Sequence, residues 1–295
     1  MPAGASFGGK RDSSVLEHIR SVEGWYYEFE LEGYKTPVAR PEHAVRHRMR
    51  RQYLMDPVLE LWGGSLRGRR VLDLGCNEGY FSLAALQAEA AFVLGLDPQA
   101  DRLQRAGWVF QASRIDPDRY ELRCADVDAL RPEAGRFDVV LLLGLLHWLP
   151  VAQAIRLLNT LSQMQAELLV VDTVVCAERG PVLRLRRQSL GPADPYRDGR
   201  ICLLPSPAGL LDLMESFGYR GVVLRPQFAD WTGSEDYRSG VRRGFLFARS
   251  LDFSRLTVPT EPAADRPSDA LQDASWKELI QALGRKLLRQ WTRRR

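Results

Sequence analysis

Cysteine is sparse. The 295 residues hold four, Cys76, Cys124, Cys176 and Cys202, scattered and with no C-x-x-C pair. Such spacing excludes a disulfide framework and carries no zinc pattern, so no metal is expected and a reducing, cytoplasmic setting is. Long hydrophobic runs are missing too. The longest, residues 139–151, is broken by His147 and Pro150 and is too short to span a bilayer. The opening MPAGASFGGKRDSSV has no apolar core of the kind a secretion signal needs. Internal repeats are absent. A basic body is absent as well: the net charge of +4 hides a tail, residues 276–295, with seven basic side chains and one acid. That segment carries +6 and leaves −2 for the rest, so the pI near 9 is poor evidence for a large nucleic-acid footprint on the body.

What is present suits an α/β protein. With 45% apolar and 26% charged residues, the composition fits one domain of about 200 residues plus appendages. The chain is organised around VLDLGCNEGYFSL, residues 71–83. It reads as a buried strand, a tight turn and a helix start. The acid Asp73 stands just before a turn built from Gly75, Asn77 and Gly79. Glycines there let a ligand approach the backbone. A carboxylate in that place would repel a pyrophosphate, so a nicotinamide dinucleotide is a poor fit. Asn77 stands where a third glycine is usual, and asparagine tolerates a left-handed backbone best among the other residues.

From residue 69 onward strands and helices alternate. Strands are expected at 91–97, 120–124, 137–143 and 167–173, helices at 101–113 and 151–164. The strands are nearly continuous apolar runs, as in a parallel sheet covered on both faces. Asp97 closes the second strand, 22 residues after Gly75, where a carboxylate can accept two ribose hydroxyls. Asp126 follows the third strand, placed to accept an adenine amino group, with the Val127 N–H facing a ring nitrogen. Gly144 and His147 follow the fourth. His147 is either a general base, its ordinary pKa near 6.5 suiting that task, or a wall of the cofactor pocket.

Asp-x-Gly-x-x-x-Gly resembles motif I of class I S-adenosylmethionine (SAM) methyltransferases. The resemblance implies a Rossmann-like, seven-stranded, mostly parallel sheet with an antiparallel last strand, and SAM as cofactor. It implies that Asp73, Gly75, Asn77, Gly79, Asp97, Asp126, Val127 and Gly144 hold that cofactor. A closer resemblance covers residues 25–250. The aromatic segment ending Thr36-Pro37, LDLGCNEGYFS, LGLLHWLP, ELLVVDTVV and CLLPSPAGLLDLMESFGY are similar, in that order, to the bacterial tRNA wobble-uridine methyltransferase and carboxymethyltransferase family. That family has a tyrosine where this chain has His147. Its carboxymethylating members use a lysine where this chain has Tyr27. Plain SAM is therefore expected in preference to a carboxylated form, and a hydroxyl of a small metabolite or sugar in preference to tRNA uridine. A SAM-binding scaffold without catalysis is the alternative of another class.

The expected organisation is an N-terminal cap at 1–60, with residues 1–13 disordered, and a SAM-binding domain at 61–250 with a substrate-side insertion at 176–203. A linker at 251–275 and a basic amphipathic helix at 276–295 follow. In the cap, a helix over 41–61 should bury Val45, Met49, Tyr53, Leu54, Val58 and Leu61 and leave Arg46, Arg48, Arg50 and Arg51 on a solvated face. In the tail, Trp276, Leu279, Ile280, Leu283, Leu287 and Trp291 form one stripe. Such a helix docks on the protein or a partner, lies on an anionic membrane, or contacts RNA.

Overall fold

A computed structural model describes residues 13–188 and 200–261. The tail helix expected at 276–295 lies outside the described residues, as do residues 1–12.

The chain begins with α1 (Ser13–Ser21) and a two-stranded hairpin, β1 (Glu30–Leu31) with β2 (Tyr34–Lys35), then α2 (Pro41–Leu61). The alternating core follows: β3 (Arg70–Leu74), α3 (Tyr80–Gln87), β4 (Phe92–Asp97), α4 (Ala100–Ala112), β5 (Tyr120–Cys124), β6 (Val139–Leu143), α5 (Val151–Met164) and β7 (Leu168–Val174). A ribbon of β8 (Leu183–Arg187) and β9 (Ile201–Pro205) interrupts it. The chain then returns through α6 (Pro207–Ser216), β10 (Arg220–Leu224), α7 (Glu235–Arg238) and β11 (Arg242–Ala248), and ends on β12 (Thr260–Glu261).

The main sheet runs β12-β10-β11-β7-β6-β3-β4-β5. β5, β4, β3, β6 and β7 are parallel, and β11 enters antiparallel between β7 and β10. This is the mostly parallel sheet with an antiparallel last long strand. The short β12 makes an eighth strand on the outer edge of β10. Residues 251–261 are therefore not linker. Glu261 accepts from the Arg243 Nε at 2.7 Å, and the Thr257 N–H donates to Glu60. Composition alone reads this stretch as loose, because its pairing partners lie far away in sequence.

Alternation along each strand sorts the core into two layers. Val71, Val93, Val139, Leu141, Val170 and Leu246 face one way, toward α2, α3, α4 and the N-terminal segment. Leu72, Leu94, Val140, Leu142, Val171 and Phe245 face the other, toward α5 and α6. Val15, Ile19, Trp25 and Phe29 belong to the first layer, so the cap is part of the domain's core. Tyr53 fastens α2 to the sheet: its hydroxyl donates to Leu224 O at 2.7 Å and accepts from the Gly244 N–H at 2.9 Å.

The solvated arginine face expected on α2 is only half there. Arg48 is exposed, but Arg50 is buried and Arg46 forks onto the Asp236 carboxylate at 2.6 and 2.7 Å. Helical spacing put these arginines opposite the apolar stripe, but α2 has chain on both sides. No helix among the described residues is long and apolar enough to cross a membrane.

Candidate active site

The parallel strands end side by side, and their carboxyl ends carry the predicted residues. Asp73 lies within β3, Asp97 ends β4, Asp126 is two residues past β5, and His147 follows β6. Three of the site's turn residues adopt left-handed backbone, Gly75 at φ +70°, Asn77 at +52° and Gly79 at +76°. Asn77 stabilises its own strained position, its Oδ1 accepting from the Glu78 N–H at 2.8 Å. A Cβ on Gly79 would stand 2.8 Å from the Phe110 ring, so that position excludes any side chain on space as well as on φ.

Asp97 receives the Asn77 N–H on one oxygen and the Gln99 N–H on the other, both at 2.9 Å. Each oxygen keeps a further lone pair, which is what two ribose hydroxyls need. Burial raises its pKa, and the two N–H donors work against that. Asp126 caps the short turn Val127–Ala129 and accepts from the Gln153 amide at 2.6 Å on the same oxygen that caps. Its other oxygen is left for an amino donor, and Val127 opens the turn beside it. Asp73 is buried and accepts from the Ser82 hydroxyl at 2.6 Å. Burial pushes its carboxyl up to about 7, against the Ser82 hydrogen bond. An ammonium group arriving there, as on the amino-acid end of SAM, would return it to the charged form. These residues fit SAM.

His147 is buried, and the Val174 N–H donates to its Nδ1 at 3.5 Å, with the Thr173 hydroxyl 3.2 Å away. The tautomer with its proton on Nε2 satisfies the Val174 contact. Burial first, and Arg242 next, bring its pKa down to about 3. A group that reluctant to accept a proton is a poor base at neutral pH, so the geometry favours the wall reading, with an N–H to offer.

Two groups of buried charges beside the site escaped the sequence reading. The first centres on Asp172, a fully buried acid inside the apolar strand β7. Arg50 from α2 donates to it at 2.5 Å, Arg242 from β11 at 2.9 Å, and the Tyr237 hydroxyl at 2.8 Å. Burial would raise the Asp172 carboxyl, but Arg242 and Arg50 outweigh it and hold it below the usual carboxylate range. Two guanidiniums against one carboxylate leave a surplus positive charge. It is directed at the turn after β6: a Cβ on Gly144 would lie 2.8 Å from Arg242 Nη2 and 3.8 Å from Arg50 Nη2. The signal was present, since a charged residue in a largely apolar strand demands a partner. Nothing in the sequence says which.

The second centres on Glu78, inside the glycine-rich turn and fully buried. One oxygen accepts the backbone N–H groups of Tyr26 and Tyr27, at 2.9 and 3.1 Å. The other accepts from Arg102 at 2.6 Å and Arg105 at 2.9 Å, both on α4. Tyr27 itself is buried, its ring stacked on Tyr80 at 4.8 Å. Among the described residues no cluster of three or more His, Cys, Asp or Glu side chains could hold a metal ion.

Sheet order, left-handed turn and the row of carboxylates at the strand ends define a class I SAM-dependent methyltransferase domain. The methyltransferase-domain family model matches residues 71–167, about a third of the chain, and this stretch is a methyltransferase domain with SAM as its cofactor. The chain is distantly related to proteins named tRNA U34 carboxymethyltransferase. The one from Pseudoalteromonas translucida is 32% identical over 169 residues, 54% of this chain and 47% of that protein. The one from Aliivibrio fischeri (strain MJ11) is 30% identical over 209 residues, 68% of this chain and 60% of that protein. The chain thus spans about half to three fifths of the length of these relatives. Among solved structures, the N-terminal domain of EvdMO1 with SAH bound superposes with a TM-score of 0.60 over 82% of this chain and 98% of that domain, at 20% identity. A second, the 1,6-didemethyltoxoflavin-N1-methyltransferase of Burkholderia thailandensis, gives 0.50 over 69% and 79%, at 19%. Both share the fold.

Proposed function

We propose that the protein transfers the methyl group of SAM to a hydroxyl of a small metabolite or sugar. The observation that carries this reading is the surplus positive charge of Arg50 and Arg242 around Asp172, directed at Gly144. A hydroxyl attacking the sulfonium methyl must shed its proton as the C–O bond forms, with the S–C bond breaking and the thioether departing. A buried, preorganised positive charge stabilises the oxygen as it becomes anionic and makes the hydroxyl more acidic. His147 offers its Nε2–H to orient that oxygen, and the proton leaves to water. The remaining work is positioning, since the methyl is already activated by the sulfonium. The body's net −2 fits a small acceptor better than a long phosphate backbone.

The same charge favours a second reading, suggested by the relatives' name. A carboxylated SAM would carry its carboxylate toward Arg50 and Arg242, and a uridine of tRNA would be the acceptor. Against it stand Tyr27 and His147 in the places of the family's lysine and tyrosine.

Labelled SAM incubated with cell extract, separated afterwards into RNA and small-molecule fractions, tests the first reading. Label is expected in the small-molecule fraction; label confined to tRNA overturns it. A competition between SAM and its carboxylated form separates the cofactors, with SAM expected to bind more tightly. His147→Ala should lower turnover without removing a pH limb near 6.5. If wild type shows such a limb and the variant lacks it, along with a loss of about 10²–10⁴ in turnover, His147 is the base after all.

A further inference from the structure

The β8–β9 ribbon is built unlike the rest of the protein. Its five paired positions run from Leu183 opposite Pro205 to Arg187 opposite Ile201. In such a ladder opposite residues share a face and successive residues alternate. Leu183, Leu185, Arg187 and Ile201 therefore lie on one face, with the covered Leu203 and Pro205, and Arg184 and Arg186 lie on the other. β9 is mostly covered: Cys202, Leu203, Leu204 and Pro205 are all buried. β8 is exposed along its whole length. Leu183 is 44% exposed, Leu185 60% and Ile201 41%, three of the five large apolar side chains exposed among the described residues. Among the described residues, Glu178 pairs with Arg184.

The ribbon also stands beside the site. Cys202 bridges to Pro150, and its thiol donates to Trp148 O at 3.7 Å. Arg186 lies close enough to His147 for its charge to act on the imidazole.

We propose that this ribbon is an interfacial foot that seats the protein on an anionic lipid bilayer, with the His147 turn beside the contact. Leucines and an isoleucine enter the boundary between headgroups and acyl chains, Arg187 reaches a lipid phosphate from the end of that face, and Arg184 and Arg186 add positive charge from the opposite face. Charge complementarity selects this occupant. A second copy seated by the same face would bring a second Arg187 to the contact and no acid of either ribbon strand to offset it. A nucleic acid would satisfy the arginines and leave the leucines in water. The tail at 276–295 combines basic residues with an apolar stripe in the same way at the level of sequence. The proposal concerns binding and does not depend on the identity of the methyl acceptor.

The test uses the full chain and large unilamellar vesicles, either pure phosphatidylcholine or with about one third phosphatidylglycerol, read by co-sedimentation. The wild type should bind the anionic vesicles, and more weakly as salt rises. Leu183→Ser/Leu185→Ser/Ile201→Ser should weaken that binding about tenfold or more, with SAM affinity and circular dichroism unchanged as the check on folding. Leu185→Ser alone should show a smaller loss in the same direction. Arg184→Gln/Arg186→Gln/Arg187→Gln should weaken binding to the anionic vesicles and not to phosphatidylcholine. Absence of wild-type binding, or full binding by the leucine variant, overturns the proposal. So does a leucine variant that keeps the vesicles but dissociates a dimer, or an arginine variant that loses an RNA oligonucleotide while the leucine variant keeps both RNA and vesicles.

Discussion

Asp97 and Asp73 are two buried carboxylates with different tasks. Asp97 already accepts two N–H groups and is fitted to accept two hydroxyls. Its replacement by alanine should weaken SAM binding by about 1–3 kcal/mol, the loss expected for charge-assisted hydrogen bonds. Calorimetry measures this directly, and an unchanged affinity in a folded variant removes Asp97 from the site. Asp73 is shifted in the same direction as Asp97 in the free protein, its pKa raised from 3.8 to about 7. Between those values the folded form holds a proton that the unfolded chain has released. Stability therefore falls as pH rises through this window. His147, lowered from 6.5 to about 3, works the other way: its contribution is lost as pH falls through the range between. Comparing Asp73→Asn with wild type isolates the first effect. Urea midpoints of the variant should lack the decline toward pH 7. SAM binding below that pH should release a proton in wild type only, seen as a buffer-dependent heat.

At the scale of elements, Glu78 joins three pieces of chain. It reaches back to the N-terminal segment through Tyr26 and Tyr27 and forward to α4 through Arg102 and Arg105. A neutral amide in its place keeps the size but loses the charge that holds both arginines. Glu78→Gln should destabilise the fold by about 1–3 kcal/mol and loosen the cap ahead of the sheet. Hydrogen exchange is the measurement: the Tyr26 and Tyr27 amides should exchange faster, while those of β3 and β6 stay protected. Equal protection of Tyr26 and Tyr27 in both proteins would mean that packing of Trp25 and Phe29 alone holds the cap.

For the whole molecule, the boundary that matters is at Glu261. β12 completes the sheet edge and ties Arg243 and Glu60 to the chain's later part. A truncation after Leu256 removes that strand and should destabilise the domain, seen as a lower urea midpoint. Ending the chain at Glu261 should leave SAM affinity within about twofold, a change below roughly 0.5 kcal/mol. Loss of SAM binding in the longer version would assign the basic tail to the catalytic domain.

The sequence by itself determined the sheet and the row of acids at its strand ends. Strand period, glycine spacing and acids at successive strand ends are local signals, each contained within a few residues. Asp73, Asp97 and Asp126 were legible for that reason, and Asn77 showed its backbone conformation by its type. Only the tertiary structure decided what the charges do. Arg50 meets Asp172 across 122 residues of sequence, Arg242 meets it across 70, and Arg46 meets Asp236 across 190. An arginine on a helix looks the same in sequence whether it faces water or a buried carboxylate. His147 likewise has an ordinary pKa until burial and Arg242 are brought to it. The fold follows from patterns within segments. The chemistry of the site follows from charges that distant segments bring together in a buried place.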